Sequence, residues 1–321
     1  MCADFFLSIV IITYNKLDYL RSVLTGLEMQ TERGNQEIII VNDGSTDGTA
    51  AFLDRKDSKL PYRHIHISNS GSSVARNTGI RMAQGEYILF LDNDIVLEDS
   101  FICKLRKSIR RYPTRIHSGR LRLVPLQSTP KVFQMNEHND VRSYFNYLES
   151  VSYLDAIYGS LQVAYQQKDD HLLACWWALA TGGNICFPKR VIRQVGCFDE
   201  EFKTWGPEDI DLCYRAFKEN YFLKYNEDCI LYHLDHARNS NLIREYMAKN
   251  VTQLYKKYKS KDILAYLNFF NGMISLNLFN TICSETHQVE NEIKLEEYYI
   301  SLNYYIKQDQ IINWKSDRNY K

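Results

Sequence analysis

Apolar runs alternate with helix-like patterns through the first part of the chain. Continuous apolar runs rich in β-branched residues are typical of strands buried on both faces. Segments with helical spacing of apolar positions lie between these runs. Strands separated by helices of this length predict βαβ units and a parallel sheet, which binds ligands at the carboxyl ends of its strands. The predicted strands are 7–13, 37–41, 62–67 and 87–91, and the predicted helices are 17–29, 46–53 and 72–84.

The pattern weakens farther along the chain. A basic helix is predicted at 101–112, and the Gly and Pro residues of 113–130 predict loops or short strands. Residues 140–168 are rich in Tyr, Leu and Val and are predicted to be helical. We expect an α/β domain over residues 1–240. The remaining segment, 241–321, is rich in Lys, Tyr, Leu and Asn and is predicted to form a helical appendage.

Two aspartates directly follow the predicted strand at 87–91. Asp92 and Asp94 flank Asn93, and burying a carboxylate is costly unless a cation compensates its charge. Alternation along a strand would turn Asp92 and Asp94 toward one site. Their oxygens suit Mg²⁺ or Mn²⁺, which complete their coordination with phosphate oxygens and water. The alternative is a loop in which these side chains satisfy a turn or a helix N-terminus.

A second acidic motif precedes a predicted helix. Pro207 suits the first helical position, and Glu208 and Asp209 suit the first turn, where the helix dipole favours anions. A carboxylate held there beside Trp205 is partly desolvated, which raises its pKa and suits a general base. The alternative is that both acids only compensate the helix dipole.

Three further motifs carry candidate chemistry. His233 and His236 follow an apolar run and are candidate nitrogen ligands of a metal, or else surface or hydrogen-bonded histidines. Arg76 is a candidate partner of a phosphate or a base carbonyl, or else an arginine on a helix surface. Gly182 and Gly183 permit close approach of the backbone to a ligand, or else form a tight turn.

Composition and missing motifs exclude several classes. Lys plus Arg and Asp plus Glu each number 39, so no bulk attraction to nucleic acid or to an anionic membrane is predicted. The eight cysteines include no Cys-x-x-Cys pair, which disfavours a zinc site and favours a reducing compartment. No secretory signal pattern opens the sequence, so we expect a cytoplasmic protein. Dinucleotide-binding, P-loop and nucleophile-elbow motifs are absent.

The motifs together resemble one enzyme family. Segments 8–15 (SIVIITYN), 39–47 (IIVNDGSTD), 75–79 (ARNTG) and 85–94 (GEYILFLDND) resemble glycosyltransferase family 2, whose members are inverting enzymes of the GT-A fold. Segment 182–212 resembles a carboxyl-terminal motif shared with galactosyltransferase-type and chondroitin-polymerase-type enzymes. The resemblance implies a Rossmann-like, mostly parallel central sheet flanked by helices. Its nucleotide-binding half would be 1–99 and its acceptor and catalytic half 100–240.

The resemblance also implies roles for individual residues. Asp209 would be the catalytic base, and Glu208 would hold hydroxyls of acceptor or donor. Asp94 would be the direct metal ligand and His233 the distal one, with His236 as the alternative. Asn42 departs from the family, which usually has Asp there. The nucleotide sugar would be bound by Thr13, Tyr14, Asn15, Asp43, Arg76, Asp92, Asn93, Gly182, Gly183 and Trp205.

The predicted reaction is therefore transfer of a hexose or N-acetylhexosamine from a nucleotide sugar, most simply a UDP-sugar, to an acceptor hydroxyl with Mn²⁺ or Mg²⁺. The acceptor class stays open among glycans, lipid-linked molecules, peptides and small molecules. One alternative is a degenerate GT-A domain that binds carbohydrate or acts as a scaffold. Another is a nucleotidyltransferase, which should carry a Gly-rich basic loop after its first strand, and residues 13–16 do not form one.

The appendage contains an apolar stretch at 263–279 that is interrupted by Asn and Ser. It predicts an amphipathic helix. One interpretation is peripheral contact with the inner face of the membrane or with a lipid-linked acceptor. The favoured interpretation is packing on the catalytic domain or across a homodimer, because the polar positions lack the Lys and Arg expected at an anionic surface.

Overall fold

The computed structural model describes most of the chain. The described residues are 5–32, 34–56, 58–136, 140–154, 174–204, 206–237, 240–270 and 273–286. The chain divides by compactness into two units, Met1–Asn250 and Val251–Lys321.

A mixed, mostly parallel sheet organises the first unit. Its strand order is β3-β2-β1-β4-β8-β6-β9-β5, and β7 pairs with β6. The ladders that join β1 to β2 and β4, β2 to β3, and β6 to β9 are parallel. The strands are β1 Leu7–Thr13, β2 Gln36–Asp43, β3 Arg63–Ile67, β4 Tyr87–Asp92, β5 Ile95–Leu97, β6 Ile116–Val124, β7 Tyr153–Leu154, β8 Asn184–Pro188 and β9 Leu223–Leu234.

Helices flank this sheet, as the alternating pattern predicts, and a short 3₁₀ turn spans Trp176–Ala178. The helix α9 crosses the division between the two units. The helices are α1 Leu17–Glu28, α2 Thr49–Arg55, α3 Ser72–Met82, α4 Phe101–Arg111, α5 Thr129–Met135, α6 Val141–Val151, α7 Lys189–Val195, α8 Glu208–Lys218, α9 Ser240–Tyr258, α10 Lys261–Phe270 and α11 Leu276–Thr286.

Burial explains why the first strands were predictable. Nearly all apolar residues of β1 and β4 are buried, so neither strand shows the regular polar alternation of a strand with one exposed face. Helix α3 packs closely on β1 because Gly79 has no side chain. A Cβ placed there would lie 2.2 Å from a methyl group of Val10. This contact positions Arg76, three residues earlier on α3, beneath the carboxyl ends of the strands.

The strand β6 differs from the sequence prediction of loops or short strands. It has nine residues and pairs with both β8 and β9. Polar residues and Gly119 interrupt its apolar pattern, and hydrogen bonds between Gly119 and β8 hold it in the sheet. The Gly119 N–H donates to Oδ1 of Asn184 at 2.9 Å, and Nδ2 of Asn184 donates back to the Gly119 carbonyl at 2.8 Å. The pairing register with β9 shifts after Gly119.

The second unit is helical over its described residues. The stretch 263–279 forms parts of two helices, α10 and α11, and not the single amphipathic helix predicted from its composition. Its aromatic side chains pack on one another, with the rings of Phe269 and Phe279 stacked at 5.1 Å. No helix among the described residues has both the length and the apolar character that crossing a bilayer requires.

Candidate active site

The polar strand ends predicted to form a site lie at one edge of the sheet. Parallel pairing sets Thr13 of β1 opposite Asn42 of β2, and Ile12 of β1 opposite Asp92 of β4. Three strands therefore end side by side with their polar residues at the carboxyl edge, where parallel sheets bind ligands.

Asp94 lies beyond the strand and not on it. Strand β4 ends at Asp92, so strand alternation does not extend to Asp94, which occupies the turn before β5. The backbone N–H of Leu234 donates to the Asp94 carbonyl at 2.8 Å. Strand β5 pairs antiparallel with β9, which sets Ile95 opposite His233. This ladder brings a histidine from far along the chain beside the aspartate.

Asp94 and two histidines form a compact cluster. Oδ2 of Asp94 lies 3.6 Å from Nε2 of His233 and 3.3 Å from Nε2 of His236. The same oxygen accepts a 2.7 Å ion-pair hydrogen bond from Nζ of Lys16. Burial acts to raise the pKa of Asp94, but His233, His236 and Lys16 outweigh it and hold that pKa well below its usual range. The three ligand atoms lie within 4.8 Å of one another, close enough to hold one metal ion.

Asp92 contacts a different cation from Asp94. Its Oδ1 pairs with Arg76 at 2.8 Å, and the other arm of the guanidinium pairs with Oε1 of Glu208 at 2.7 Å. Arg76 is buried, so it is not the surface arginine of the alternative interpretation. The hydroxyl of Ser72 also donates to Oε1 of Glu208 at 2.7 Å. Arg76 thus links the end of β4 to the start of α8.

Glu208 leaves one oxygen available. Oε2 is buried and accepts no hydrogen bond from the described residues. An unsatisfied buried acceptor is unfavourable by roughly 1–3 kcal/mol. A ligand hydroxyl that donates to Oε2 would remove that cost.

Asp209 has the chemistry of a general base. Its Oδ2 accepts the backbone N–H of Gly182 at 2.7 Å, and its Oδ1 accepts the N–H of Ile210 at 2.8 Å. Burial and the neighbouring charge of Glu208 raise the pKa of Asp209 to about 7, against the opposing effect of Arg76 and of the two backbone hydrogen bonds. Part of the side chain remains accessible. A carboxyl group with this pKa exchanges protons near neutral pH.

The paired glycines join these groups. A Cβ at Gly182 would lie 2.9 Å from Cζ of Arg76, and a Cβ at Gly183 would lie 2.6 Å from Oδ2 of Asp92. Both positions need glycine because the loop lies directly against the Arg76–Asp92 ion pair. The loop that fixes Asp209 therefore also closes around Asp92.

The residues at the ends of β1 and β2 are held by local hydrogen bonds. Thr13 is buried, and its hydroxyl accepts Nδ2 of Asn93 at 2.9 Å. The carboxylate of Asp43 accepts the backbone N–H groups of Ser70 and Gly71 at 2.7 and 2.9 Å. These contacts fix the walls of the predicted nucleotide pocket.

Of two other predicted pocket residues, one is exposed to solvent and the other is held by a hydrogen bond. Tyr14 is 48% exposed, so its ring is accessible to a base. Asn15 adopts a left-handed conformation with φ of 49°, and its Oδ1 accepts the N–H of Thr46 at 2.6 Å. Trp205 lies outside the described residues.

Two residues of the site were missed by the sequence prediction. Lys16 directly follows the predicted motif at the end of β1, and Ser72 begins the helix that carries Arg76. Neither residue has a distinctive neighbourhood in the sequence. Their partners Asp94 and Glu208 are 78 and 136 positions away, so only the fold brings them together.

Family models match both parts of the site. The model described as glycosyl transferase family 2 matches residues 8–180, which include Asp43, Arg76 and Asp94. The model described as the N-terminal domain of galactosyltransferase matches residues 173–237, which include Asp209 and His233.

Curated relatives and a solved structure agree with these matches. The chain is 25% identical over 284 residues to the hyaluronan synthase of Pasteurella multocida, covering 78% of this chain and 28% of that protein. It is 25% identical over 262 residues to the chondroitin synthase of Escherichia coli, covering 77% of this chain and 37% of that protein. The chain thus spans well under half the length of these relatives.

The crystal structure of TarS from S. aureus matches with a TM-score of 0.55 and 16% identity, over 83% of this chain and 43% of that chain. This likeness confirms the predicted GT-A fold, a mostly parallel sheet flanked by helices. The family 2 model covers more than half of the sequence, in the order of the motifs at the strand ends. The chain belongs to glycosyl transferase family 2.

Proposed function

We propose that this chain transfers a hexose or N-acetylhexosamine from a nucleotide diphosphate sugar to an acceptor hydroxyl, with inversion at the anomeric carbon. The observation that carries this proposal is the position of Asp209. A carboxyl group with a pKa of about 7 is held by the loop that closes on Asp92. The Asp94 cluster follows Asp92 by two residues.

The donor set around Asp94 fits a divalent metal. One buried carboxylate and two imidazole nitrogens, those of His233 and His236, converge there. Nitrogen ligands favour Mn²⁺ over Mg²⁺, which prefers an all-oxygen shell. A bound ion would neutralise charge that develops on the departing nucleoside diphosphate.

Asp209 and Glu208 have different roles in the proposed reaction. Asp209 accepts the proton of the acceptor hydroxyl while that oxygen bonds to the anomeric carbon. The bond from this carbon to the diphosphate oxygen breaks on the opposite face, so one displacement inverts the configuration. Oε2 of Glu208 accepts a hydrogen bond from a sugar hydroxyl. Proton removal by a positioned base contributes about 10²–10⁴ in rate.

The nucleotide is assigned to the pocket at the ends of β1 and β2. The exposed ring of Tyr14 supports stacking of a base beside the fixed Asp43 and Thr13. We assign uridine as the nucleoside and a growing glycan as the acceptor. The similarity to a hyaluronan synthase and a chondroitin synthase supports the glycan acceptor, and the resemblance of segments 8–15 and 39–47 to the family supports uridine.

Thermal shift with a panel of nucleotide sugars, with and without Mn²⁺, tests the proposal. We expect one UDP-sugar to raise the melting temperature only when Mn²⁺ is present. Asp209→Asn should keep that shift and lose transfer by at least about a hundredfold, because it removes the base and not the donor site. Asp94→Asn should lose the shift itself.

The same panel distinguishes a transferase from a carbohydrate-binding scaffold. A protein that responds to no nucleotide sugar but binds an oligosaccharide would be a carbohydrate-binding scaffold. That outcome would overturn the transferase assignment.

A further inference from the structure

A second group of metal-ligating side chains lies on α2 and β3, away from the Asp94 cluster. His64 and His66 are two residues apart on β3, so strand alternation turns both to the same face. Nε2 of each ring lies 3.1 Å from Oδ1 of Asp54 on α2. The two ring centroids are 5.1 Å apart. None of these residues has a part in the proposed transfer.

The spacing of these atoms suits a small metal ion. The three ligand atoms lie within 4.8 Å of one another. Ions such as Zn²⁺ bind imidazole nitrogen and carboxylate oxygen at about 2.0–2.2 Å, so ligand atoms around a tetrahedral ion are about 3.3–3.6 Å apart. The 3.1 Å separations of the two Nε2 atoms from Oδ1 of Asp54 are close to this range.

The charge and the access to solvent also suit a metal. An aspartate is ionised at neutral pH, so Asp54 supplies a negative charge to a cation. The Asp54 side chain is 62% exposed. An ion can therefore enter from solvent, and water can complete the coordination shell.

We propose that Asp54, His64 and His66 bind a divalent transition metal of the Zn²⁺ class, which joins α2 to the edge strand β3. Imidazole ligands select this class over Mg²⁺. The role is structural, because the ion would connect two neighbouring elements of the nucleotide-binding half.

One hydrogen bond links this site to the end of β2. Nδ2 of Asn42 lies 2.9 Å from Nδ1 of His66, while Oδ1 of Asn42 accepts the N–H of Ser45 at 3.1 Å. Coordination through Nε2 leaves the His66 proton on Nδ1, which then needs an acceptor. The Asn42 amide must turn over to present its oxygen, and the Ser45 N–H then loses its partner. Metal binding therefore competes with one hydrogen bond.

Substitution of Asn42 by Asp removes this competition. Two carboxylate oxygens accept the Nδ1–H of His66 and the N–H of Ser45 together. A carboxylate behind a metal-bound histidine typically changes metal affinity by about 10–100-fold. Asn42→Asp should therefore tighten metal binding by at least about tenfold.

The test uses the full chain without an affinity tag, stripped with chelator and carrying His233→Ala and His236→Ala to remove the other histidine cluster. Zn²⁺ is titrated by calorimetry. We expect one equivalent to bind, with affinity reduced at least about tenfold by His64→Ala and by Asp54→Ala. Asp18→Ala is the matched control, because the Asp18 side chain is 60% exposed and is paired with Arg21. It should bind Zn²⁺ as the parent does.

Two results would overturn the proposal. One is Zn²⁺ binding that is absent, or that is equally strong in the His64→Ala and Asp54→Ala proteins. The other is an Asn42→Asp protein that binds Zn²⁺ no more tightly than the parent. The Asn42→Asp protein keeps both histidines, so its Zn²⁺ affinity tests the proposal even if His64→Ala fails to fold. Circular dichroism checks that each variant is folded.

Discussion

The stability of Asp209→Asn relative to wild type should increase as the pH rises. The folded protein holds the pKa of Asp209 at about 7, whereas an exposed aspartate has a pKa of 3.8. Between these pH values the folded protein keeps a proton that the unfolded chain releases. Wild-type stability therefore falls as the pH rises through this interval and levels off above it. Asn does not titrate, so the variant lacks this loss.

The size of the effect follows from the shift. One pKa unit corresponds to about 1.4 kcal/mol. Linkage between a pKa of 3.8 in the unfolded chain and about 7 in the folded protein gives a relative change of about 2 kcal/mol between pH 5.5 and pH 8. A pH-independent difference, such as a lost hydrogen bond from Gly182 or Ile210, shifts both values equally and cancels in the comparison.

The assay is urea unfolding followed by tryptophan fluorescence at several pH values. Trp176 and Trp177 are buried in the same unit as Asp209 and report its unfolding. Asp228→Asn, at an exposed position, controls for the removal of a carboxylate. The raised pKa is refuted if the free energy of unfolding of Asp209→Asn, measured relative to that of wild type, stays constant with pH or decreases as the pH rises.

Two further substitutions test the geometry around the aspartates. Lys16→Met should raise Mn²⁺ affinity about fivefold in calorimetry. The Lys16 ammonium lies 2.7 Å from Oδ2 of Asp94 and competes with the metal, and an ion pair of this kind contributes roughly 1 kcal/mol. Weaker binding by the variant would show instead that Lys16 assists the metal. Gly183→Ala should lower the melting temperature and weaken nucleotide-sugar binding at least about tenfold, because its Cβ would lie 2.6 Å from Oδ2 of Asp92; unchanged binding would remove Asp92 from the donor site.

Elements buried on both faces were predictable from the sequence. Strand β1 was predicted at its observed limits, and β4 to within one residue, because continuous apolar runs leave little ambiguity. Strand β6 was predicted only as part of a region of loops or short strands, because its arginines and glycine interrupt the apolar pattern of this nine-residue strand. Its place in the sheet depends on β8 and β9, which follow it much later in the chain.

In the candidate active site, the sequence likewise identified residues but not their contacts. Motifs identified Asp94, Asp209 and Arg76 as candidates, and their assigned roles stay predictions. The sequence did not reveal that Asp92 and Asp94 contact different cations. That difference arises because β4 ends at Asp92, while Asp94 is held in a turn by pairing with β9. A period-two rule applies only while the strand continues.

Burial raises the pKa of Asp209, and the distribution of charge around it does not offset that effect. Asp92 and Glu208 each pair directly with Arg76, whereas the hydrogen bonds to Asp209 described in the structure come from backbone N–H groups. Asp209 thus has no direct cationic partner among the described residues, so the cost of burying its charge and the neighbouring charge of Glu208 raise its pKa to about 7.

A nucleoside diphosphate would add further negative charge to this edge of the sheet. Cations at Asp94 are the available compensation, because Arg76 already serves Asp92 and Glu208. Donor and metal should therefore bind cooperatively, each raising the affinity of the other by the same factor. The two aspartates at the carboxyl end of β4 would then have complementary roles. Asp92 would join the donor site to Glu208 through Arg76, and Asp94 would hold the cation that makes donor binding favourable.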